Sequence, residues 1–233
     1  MTALAPALNV AFPEIKCRQA VVGDQLDVLA DIYREEVNIS VWQRTLPEVL
    51  SNAAEHLLLE RPHLQISRTV SPKNAYEILI KSLGNKAEPV ALAADIAELA
   101  EMFCFLFDLK CIGLRLIALG HAMCPRFHVD WVPCRLVTTY QGRATQWLAH
   151  DRVDRGKLGA GNQGKPDEQS GLFSHADDIQ QIRQGDVALL KGEGWAGNEE
   201  AGLVHRSPQL NAGARRLLLT LDFTDQLRES RQH

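Results

Sequence analysis

The sequence of 233 residues has no long apolar run, no block of consecutive basic residues and no CxxC pair. Because no stretch of about 18 apolar residues occurs, a membrane-spanning helix is not expected. Residues 1–9 lack the basic and apolar parts of a signal peptide, which predicts a cytoplasmic protein. A net charge of -4 without basic clusters argues against binding of nucleic acid or of anionic membranes by charge. We therefore expect neither a nucleic-acid nor a membrane partner. The expected substrate is a small molecule, or a substrate that the sequence does not identify.

Cysteine is scarce and irregularly placed. The five cysteines are Cys17, Cys104, Cys111, Cys124 and Cys134. An odd, widely spaced set predicts free thiols in a reducing compartment rather than a disulfide framework. With 45% apolar and 23% charged residues, the composition is that of an ordinary globular protein, and the length suits one domain.

The first part of the chain, residues 1–110, is predicted to be mainly helical. Between residues 24 and 60, apolar residues recur at intervals of three and four, as an amphipathic helix requires. Residues 38–42 interrupt this pattern and could form a short extended piece. Further helices are predicted over residues 46–59, 74–83 and 89–109, with Pro62 and Gly84 as stop signals.

The pattern changes at residue 111, and residues 111–233 are predicted to be rich in strands. Short apolar and β-branched segments cover residues 111–119, 126–142, 186–192, 202–208 and 216–223. No low-complexity linker separates the two parts, so we expect one compact α+β unit with helices packed outside a sheet structure. The long glycine-rich segment 154–173 is predicted to be a functional loop, such as a lid.

A candidate metal site lies in the tripeptide HVD. Residues i and i+2 of a strand share a face, so His128 and Asp130 would present an imidazole and a carboxylate side by side. His205, in the segment GLVHRSP, is the third candidate ligand. Two histidines and one carboxylate form the facial triad that leaves open positions on Fe(II).

Two arginines follow His205 at the start of an apolar strand. A guanidinium is a bidentate partner for a carboxylate, which suits the far end of a dicarboxylic acid. Arg216 shares a strand face with Thr220 and Asp222, the more polar face, and is the favoured candidate. A bulge at Gly213 would shift the strand register and place Arg215 on this face instead, so Arg215 stays an alternative.

The order of HxD, a distal histidine and then an arginine resembles the Fe(II)/2-oxoglutarate-dependent oxygenases over residues 111–223. The resemblance implies a double-stranded β-helix, which is a jelly-roll or cupin-like barrel, covered by the helical layer. It also implies that His128, Asp130 and His205 bind Fe(II) and that Arg216 binds 2-oxoglutarate in a hydroxylase-type dioxygenase.

Three further residues are candidates for contacts with the co-substrate or substrate. Tyr140 shares the strand parity of Asp130 if Pro133 introduces no bulge, and it could then hydrogen-bond the co-substrate carboxylate. Its alternative is a tyrosine packed at the barrel rim. Arg135 and Arg206 could anchor a substrate, although an arginine in a strand more often meets a structural carboxylate or solvent.

A second resemblance covers more of the chain. The segments ISVWQR, CPRFHVDWVPCRLVTTYQGRATQW, GLVHRSP and RLLLTLD resemble the bacterial family called domain of unknown function 1826. The family supplies no reaction, but it implies a link to zinc homeostasis. A zinc-handling protein without oxidative activity is therefore the alternative, and Cys124 and Cys134 could join His128 and Asp130 as zinc ligands. A barrel that serves only as an interaction scaffold is the third hypothesis.

Overall fold

The fold is built on two β-sheets and a layer of helices, seen in a computed structural model that describes residues 17–224. The residues on which the signal-peptide prediction rests lie outside this range. The strands are β1 (Gln19–Gly23), β2 (Val37–Trp42), β3 (Gln65–Val70), β4 (Ile112–Leu119), β5 (Cys134–Gln141), β6 (Gln146–Leu148), β7 (Ile179–Gln181), β8 (Val187–Lys191), β9 (Val204–Arg206) and β10 (Arg216–Phe223). The α-helices are α1 (Glu48–Glu60), α2 (Ala75–Leu83), α3 (Ala87–Leu106) and α4 (Asp167–Ser170). Short 3-10 helices cover Leu26–Tyr33, His150–Arg152, Arg155–Lys157, Gly159–Asn162 and Ala176–Asp178.

The larger sheet has seven strands in the order β1-β2-β8-β5-β10-β4-β3. Its pairs are antiparallel, except that β1 runs parallel to β2. Strands β1, β2 and β3 come from the first 110 residues; β2 and β3 pair with β8 and β4 from the later part of the chain, and β1 extends the sheet beside β2. The two parts of the sequence therefore build one sheet together.

The smaller sheet has three strands in the order β7-β6-β9. His128 forms an isolated bridge to His205, on the side of β9 away from β6. An apolar cluster joins the large sheet to residues that flank the small one, with Ile39, Val137 and Leu190 meeting Ala144 and Leu203. The two sheets thus face each other across a packed interior.

The helices cover the opposite face of the large sheet. Helix α1 contacts β5 and β10, α3 contacts β4, and α2 packs on α3. Leu217, Leu219 and Leu221 of β10 are buried in this helical core. Each buried leucine contributes roughly 1.5–3 kcal/mol by leaving water. Because strand residues alternate, Arg216 and Asp222 project to the other face, toward the small sheet.

The predicted α+β class is confirmed, as are the helices α1, α2 and α3 and the strands β4, β5, β8, β9 and β10. The prediction of an α-helix beginning near residue 24 is wrong, because that segment is a 3-10 helix between two strands of the sheet. Strands β1, β3, β6 and β7 were not predicted. Among residues 17–224, no helix combines the length and the apolar character that a membrane span requires.

Candidate metal centre

Strand β9 and the segment around His128 bring the two histidines together. His205 is the middle residue of β9, and its N–H and carbonyl exchange hydrogen bonds of 3.0 Å with those of His128. This pairing places the two imidazole rings on the same side, with centroids 4.6 Å apart. Residues 77 positions apart in the predicted motif are therefore adjacent in space.

Asp130 completes a three-residue cluster. Its carboxylate oxygens lie 3.6 Å from His128 Nε2 and 3.4 Å from His205 Nε2. One ligand atom from each residue lies within 4.8 Å of the others, a spacing that a single metal ion can bridge. The side chain of His205 is buried, and those of His128 and Asp130 are partly exposed, so one side of the cluster remains accessible.

The backbone orients both imidazoles. His128 Nδ1 lies 3.0 Å from the Arg126 carbonyl, and His205 Nδ1 lies 3.1 Å from the Leu203 carbonyl. A carbonyl only accepts, so each Nδ1 carries a proton and each Nε2 faces Asp130. Each Nε2 can donate to the Asp130 carboxylate when its ring is protonated, and it offers a lone pair to a metal when its ring is neutral. Hydrogen bonds of this kind hold metal-binding histidines in the required tautomer and orientation.

Arg135 holds the carboxylate of Asp130. Its Nη1 donates to Asp130 Oδ2 at 2.6 Å, while Nε and Nη2 donate to the two oxygens of Asp222 at 2.7 and 3.2 Å. Arg135 therefore pairs with two structural carboxylates, Asp130 and Asp222, rather than with an open substrate site. Asp222 was placed on the polar face of its strand, but its pairing with Arg135 was not predicted.

The charge of the cluster is set by these contacts. Burial alone would raise the pKa of Asp130, but hydrogen bonds from His128 and His205 and the charge of Arg135 hold it well below its ordinary value. The hydrogen bond to Asp130 raises the pKa of His128 despite partial burial. Asp130 is thus an ionised carboxylate at neutral pH, as a metal ligand must be.

Arg216 is a buried cation with few partners. Its side chain is 2% exposed, its Nη1 donates one long hydrogen bond of 3.4 Å to the Arg143 carbonyl, and its Nε has no hydrogen-bond partner among the described residues. Burial lowers the pKa of Arg216 to about 10, an effect that the nearby Cys124 thiol partly opposes. Arg216 lies on the strand face of Asp222, whose partner Arg135 binds Asp130, so both guanidinium groups lie on the same side of the large sheet.

Arg215 and Tyr140 do not reach this region. The Nη1 of Arg215 donates to the Pro62 carbonyl at 2.7 Å, on the other side of β10. The Tyr140 hydroxyl donates to Asp95 of α3 at 2.5 Å, inside the helical core. The predicted shared face of Tyr140 and Asp130 is wrong, because bends at residues 131–133 interrupt the strand and cancel the parity count.

The cysteines do not join the cluster. Cys134 is buried in the helical core, on the other face of the sheet, and burial strongly raises the pKa of its thiol. Cys124 is exposed, and its carbonyl accepts a hydrogen bond from Ser207. Within residues 17–224, the group with metal-binding spacing consists of His128, Asp130 and His205 alone.

Asp167 ties the glycine-rich segment 154–173 to the His128 segment and to β9. This buried carboxylate accepts hydrogen bonds from Arg126 Nε at 2.8 Å, Phe127 N at 2.9 Å and Arg206 Nη1 at 3.2 Å. Arg206 therefore meets a structural carboxylate rather than an open site. The role of Asp167 could not be predicted from the sequence, because its partners are about 40 residues away and follow no motif.

Solved structures similar to this chain include two dioxygenases and a hydroxylase. The rice dioxygenase for auxin oxidation has a TM-score of 0.53 at 10% identity, over 88% of this chain and 82% of the rice chain. The 2-oxoglutarate complex of dioxygenase for auxin oxidation 1 from Arabidopsis thaliana has a TM-score of 0.45 at 10% identity, over 88% and 92%. A Pseudomonas putida prolyl-4-hydroxylase has a TM-score of 0.42 at 14% identity, over 84% and 96%.

No curated protein matches the sequence. The family described as "Protein of unknown function (DUF1826)" matches residues 23–222, which is most of the chain and includes the cluster, Arg135 and Arg216. The chain belongs to this family.

Proposed function

We propose that the protein is an Fe(II)/2-oxoglutarate-dependent dioxygenase. The observation that carries the proposal is the combination of an oriented His-Asp-His cluster with a buried arginine that has no carboxylate partner among the described residues. The cluster suits a metal, and the arginine suits the far carboxylate of a dicarboxylic co-substrate.

The donor set fits Fe(II). Two imidazole nitrogens and one carboxylate oxygen form a facial triad, which leaves further coordination positions for small ligands. His128, Asp130 and His205 would hold the ion, and the bond from Arg135 would keep the Asp130 carboxylate in place. The metal would replace the imidazole contacts that Asp130 now makes.

Arg216 fits the co-substrate. Burying an unpaired charge is unfavourable, so a guanidinium in this setting is best explained by a ligand that supplies the missing carboxylate. In our proposal, Arg216 binds the far carboxylate of 2-oxoglutarate, and the 2-oxo acid end binds the metal. Arg215, whose guanidinium is turned to Pro62, has no part in this binding.

The arrangement of strands supports the same assignment. Strands β4, β10, β5 and β8 are neighbours in the large sheet, and β9, β6 and β7 form the facing sheet. We assign this pair of sheets as a double-stranded β-helix, with the metal centre at the edge where His128 meets β9. The fold shared with the rice dioxygenase agrees with this assignment.

The metal and 2-oxoglutarate would together supply oxidative decarboxylation to succinate and CO2, with the second oxygen atom of O2 going to a C–H bond of the substrate. The chain would position both reactants and limit access of water. The segment 154–173, fastened through Asp167, would act as the wall or lid on this side.

The proposal is tested by Fe(II)-dependent formation of succinate from 2-oxoglutarate without added substrate, measured under air. We expect slow turnover in the wild type, and loss of it in His205→Ala. His121→Ala is the matched control, because this exposed histidine lies outside the cluster. If the rate is zero in the wild type although Fe(II) binds, or equal in the wild type and His205→Ala, the proposal is wrong.

A further inference from the structure

A cavity lies away from the metal centre, on the other face of the large sheet. It has a volume of about 370 Å³, and its lining includes Arg18, Tyr33, Lys191 and Trp195. Lys191 pairs across the ladder with Cys134, a residue of the helical core, whereas the adjacent Arg135 faces Asp130. The sheet therefore separates this cavity from the metal centre.

Lys191 is buried in the wall of the cavity. Its side chain is 2% exposed, and its Nζ donates to the Arg34 carbonyl at 2.8 Å. The same nitrogen lies 4.9 Å from the centre of the Trp195 ring, a cation–π distance. Both partners are neutral, so neither cancels the charge.

Arg18 is the second buried cation in the wall. Its Nε donates to Asn198 Oδ1 at 2.8 Å, and its Nη2 and Nη1 donate to the carbonyls of Gly197 and Cys17 at 3.0 and 3.3 Å. These acceptors are also neutral. Across residues 17–224, neither Arg18 nor Lys191 has a carboxylate within ion-pair distance.

Lys191 and Arg18 line the same cavity, and the charge of Arg18 affects Lys191. Burial lowers the pKa of Lys191 to about 8, and the charge of Arg18 adds to this effect. Cys134, Glu36 and Glu35 oppose it. Glu35 lines the cavity, but both glutamates are exposed to solvent, and Glu36 pairs with Arg34 at 2.6 Å. Among residues 17–224, the interior of the cavity thus carries positive charge without a buried counterion.

The remaining wall is aromatic and held in place. The rings of Tyr33 and Trp195 meet edge to face with centroids 5.3 Å apart, and Trp195 also contacts Phe107. The Tyr33 hydroxyl donates to the Leu106 carbonyl at 2.6 Å. An occupant would therefore meet both cationic and aromatic groups in the wall.

We propose that this cavity is a second ligand site, which binds a small oxyanion, a carboxylate or a phosphate, between Lys191 and Arg18. A charge-assisted hydrogen bond from each cation would supply the counterion that the described residues lack. The aromatic wall leaves room for a small apolar body on the same ligand.

The test is isothermal titration of the full-length protein with inorganic phosphate and, in a separate arm, with benzoate, at constant ionic strength. We expect saturable binding of at least one probe, with affinity reduced at least tenfold in Lys191→Met and in Arg18→Gln. Lys73→Met, which changes an exposed lysine elsewhere, is the matched control and should bind as the wild type does. Binding by phosphate alone or by benzoate alone identifies the chemical class of the ligand.

A thermal melt gives a second readout. Lys191→Met should melt no lower than the wild type without a ligand, because the substitution removes an unpaired buried charge. Equal affinity in the wild type and both cavity variants, or no binding of either probe to the wild type, would overturn the proposal. Binding should persist in His205→Ala and Arg216→Met, so this site and the proposed dioxygenase activity succeed or fail separately.

Discussion

Replacing Arg216 by methionine is expected to stabilise the protein on its own and to remove its response to 2-oxoglutarate. Methionine has a similar length and no charge, so it fills the buried space without the cost of an unpaired guanidinium. Most substitutions of a buried residue destabilise the protein, so an increase in the free energy of unfolding would distinguish this account from a structural role for Arg216.

The magnitude follows from the pKa of Arg216. Burial lowers it from 12.5 to about 10. At about 1.4 kcal/mol for each pKa unit, the charged form is disfavoured by about 3 kcal/mol in the folded protein. Loss of the long hydrogen bond to the Arg143 carbonyl removes roughly 0.5–1 kcal/mol of this gain. We therefore expect the free energy of unfolding to rise by roughly 2 kcal/mol.

The assay is urea unfolding with Mn(II) present, with and without 2-oxoglutarate. A ligand at about 100 times its dissociation constant stabilises the wild type by about 2.7 kcal/mol, and Arg216→Met should show none of this gain. Arg215→Met is the matched control, since it changes the neighbouring arginine on the other side of the strand. It should keep the gain and should not be more stable than the wild type.

The reasoning fails if Arg216→Met lowers the free energy of unfolding and keeps the full gain from 2-oxoglutarate. It also fails if Arg215→Met loses that gain while Arg216→Met retains it. Either result would mean that the buried guanidinium is a structural group.

Three other substitutions test separate contacts. Arg135→Gln should weaken Mn(II) binding by about 10–100-fold in calorimetric titration, because Asp130 loses the group that orients it, and an unchanged affinity would remove Arg135 from the metal centre. Tyr140→Phe should lower the free energy of unfolding by about 1–3 kcal/mol through the lost bond to Asp95, and any loss of 2-oxoglutarate binding would contradict its assignment to the helical core. Asp167→Ala should speed proteolysis within residues 154–173, and equal cleavage rates would show that this carboxylate does not fasten the segment.

The proximity of His128, Asp130 and His205 could be predicted from the sequence, because it depends on a two-residue period and on the order of motifs. The face of Arg216 followed in the same way, since β10 runs unbroken from Arg216 to Phe223. The face of Tyr140 did not, because the count crossed the bends at residues 131–133. Strand parity is reliable only within one continuous strand.

Other features depended on contacts that no local pattern records. In β3, the two buried residues are Ile66 and Val70, four positions apart, which is a helical spacing rather than a strand alternation. Strands β6 and β7 have three residues each, too few for any period. The pairing of Arg135 with Asp222 spans 87 positions and exists only because β5 and β10 are neighbours in the sheet.

The central claim is that one centre binds both Fe(II) and 2-oxoglutarate. The most direct test is anaerobic titration of the metal-free protein with Fe(II) and then with 2-oxoglutarate, recorded by visible absorption. We predict the weak metal-to-ligand charge-transfer band of the chelate in the wild type, and its absence in His128→Ala and Arg216→Met. Tight binding of Zn(II), with no spectral or calorimetric response to 2-oxoglutarate, would contradict the account and favour a zinc-handling protein.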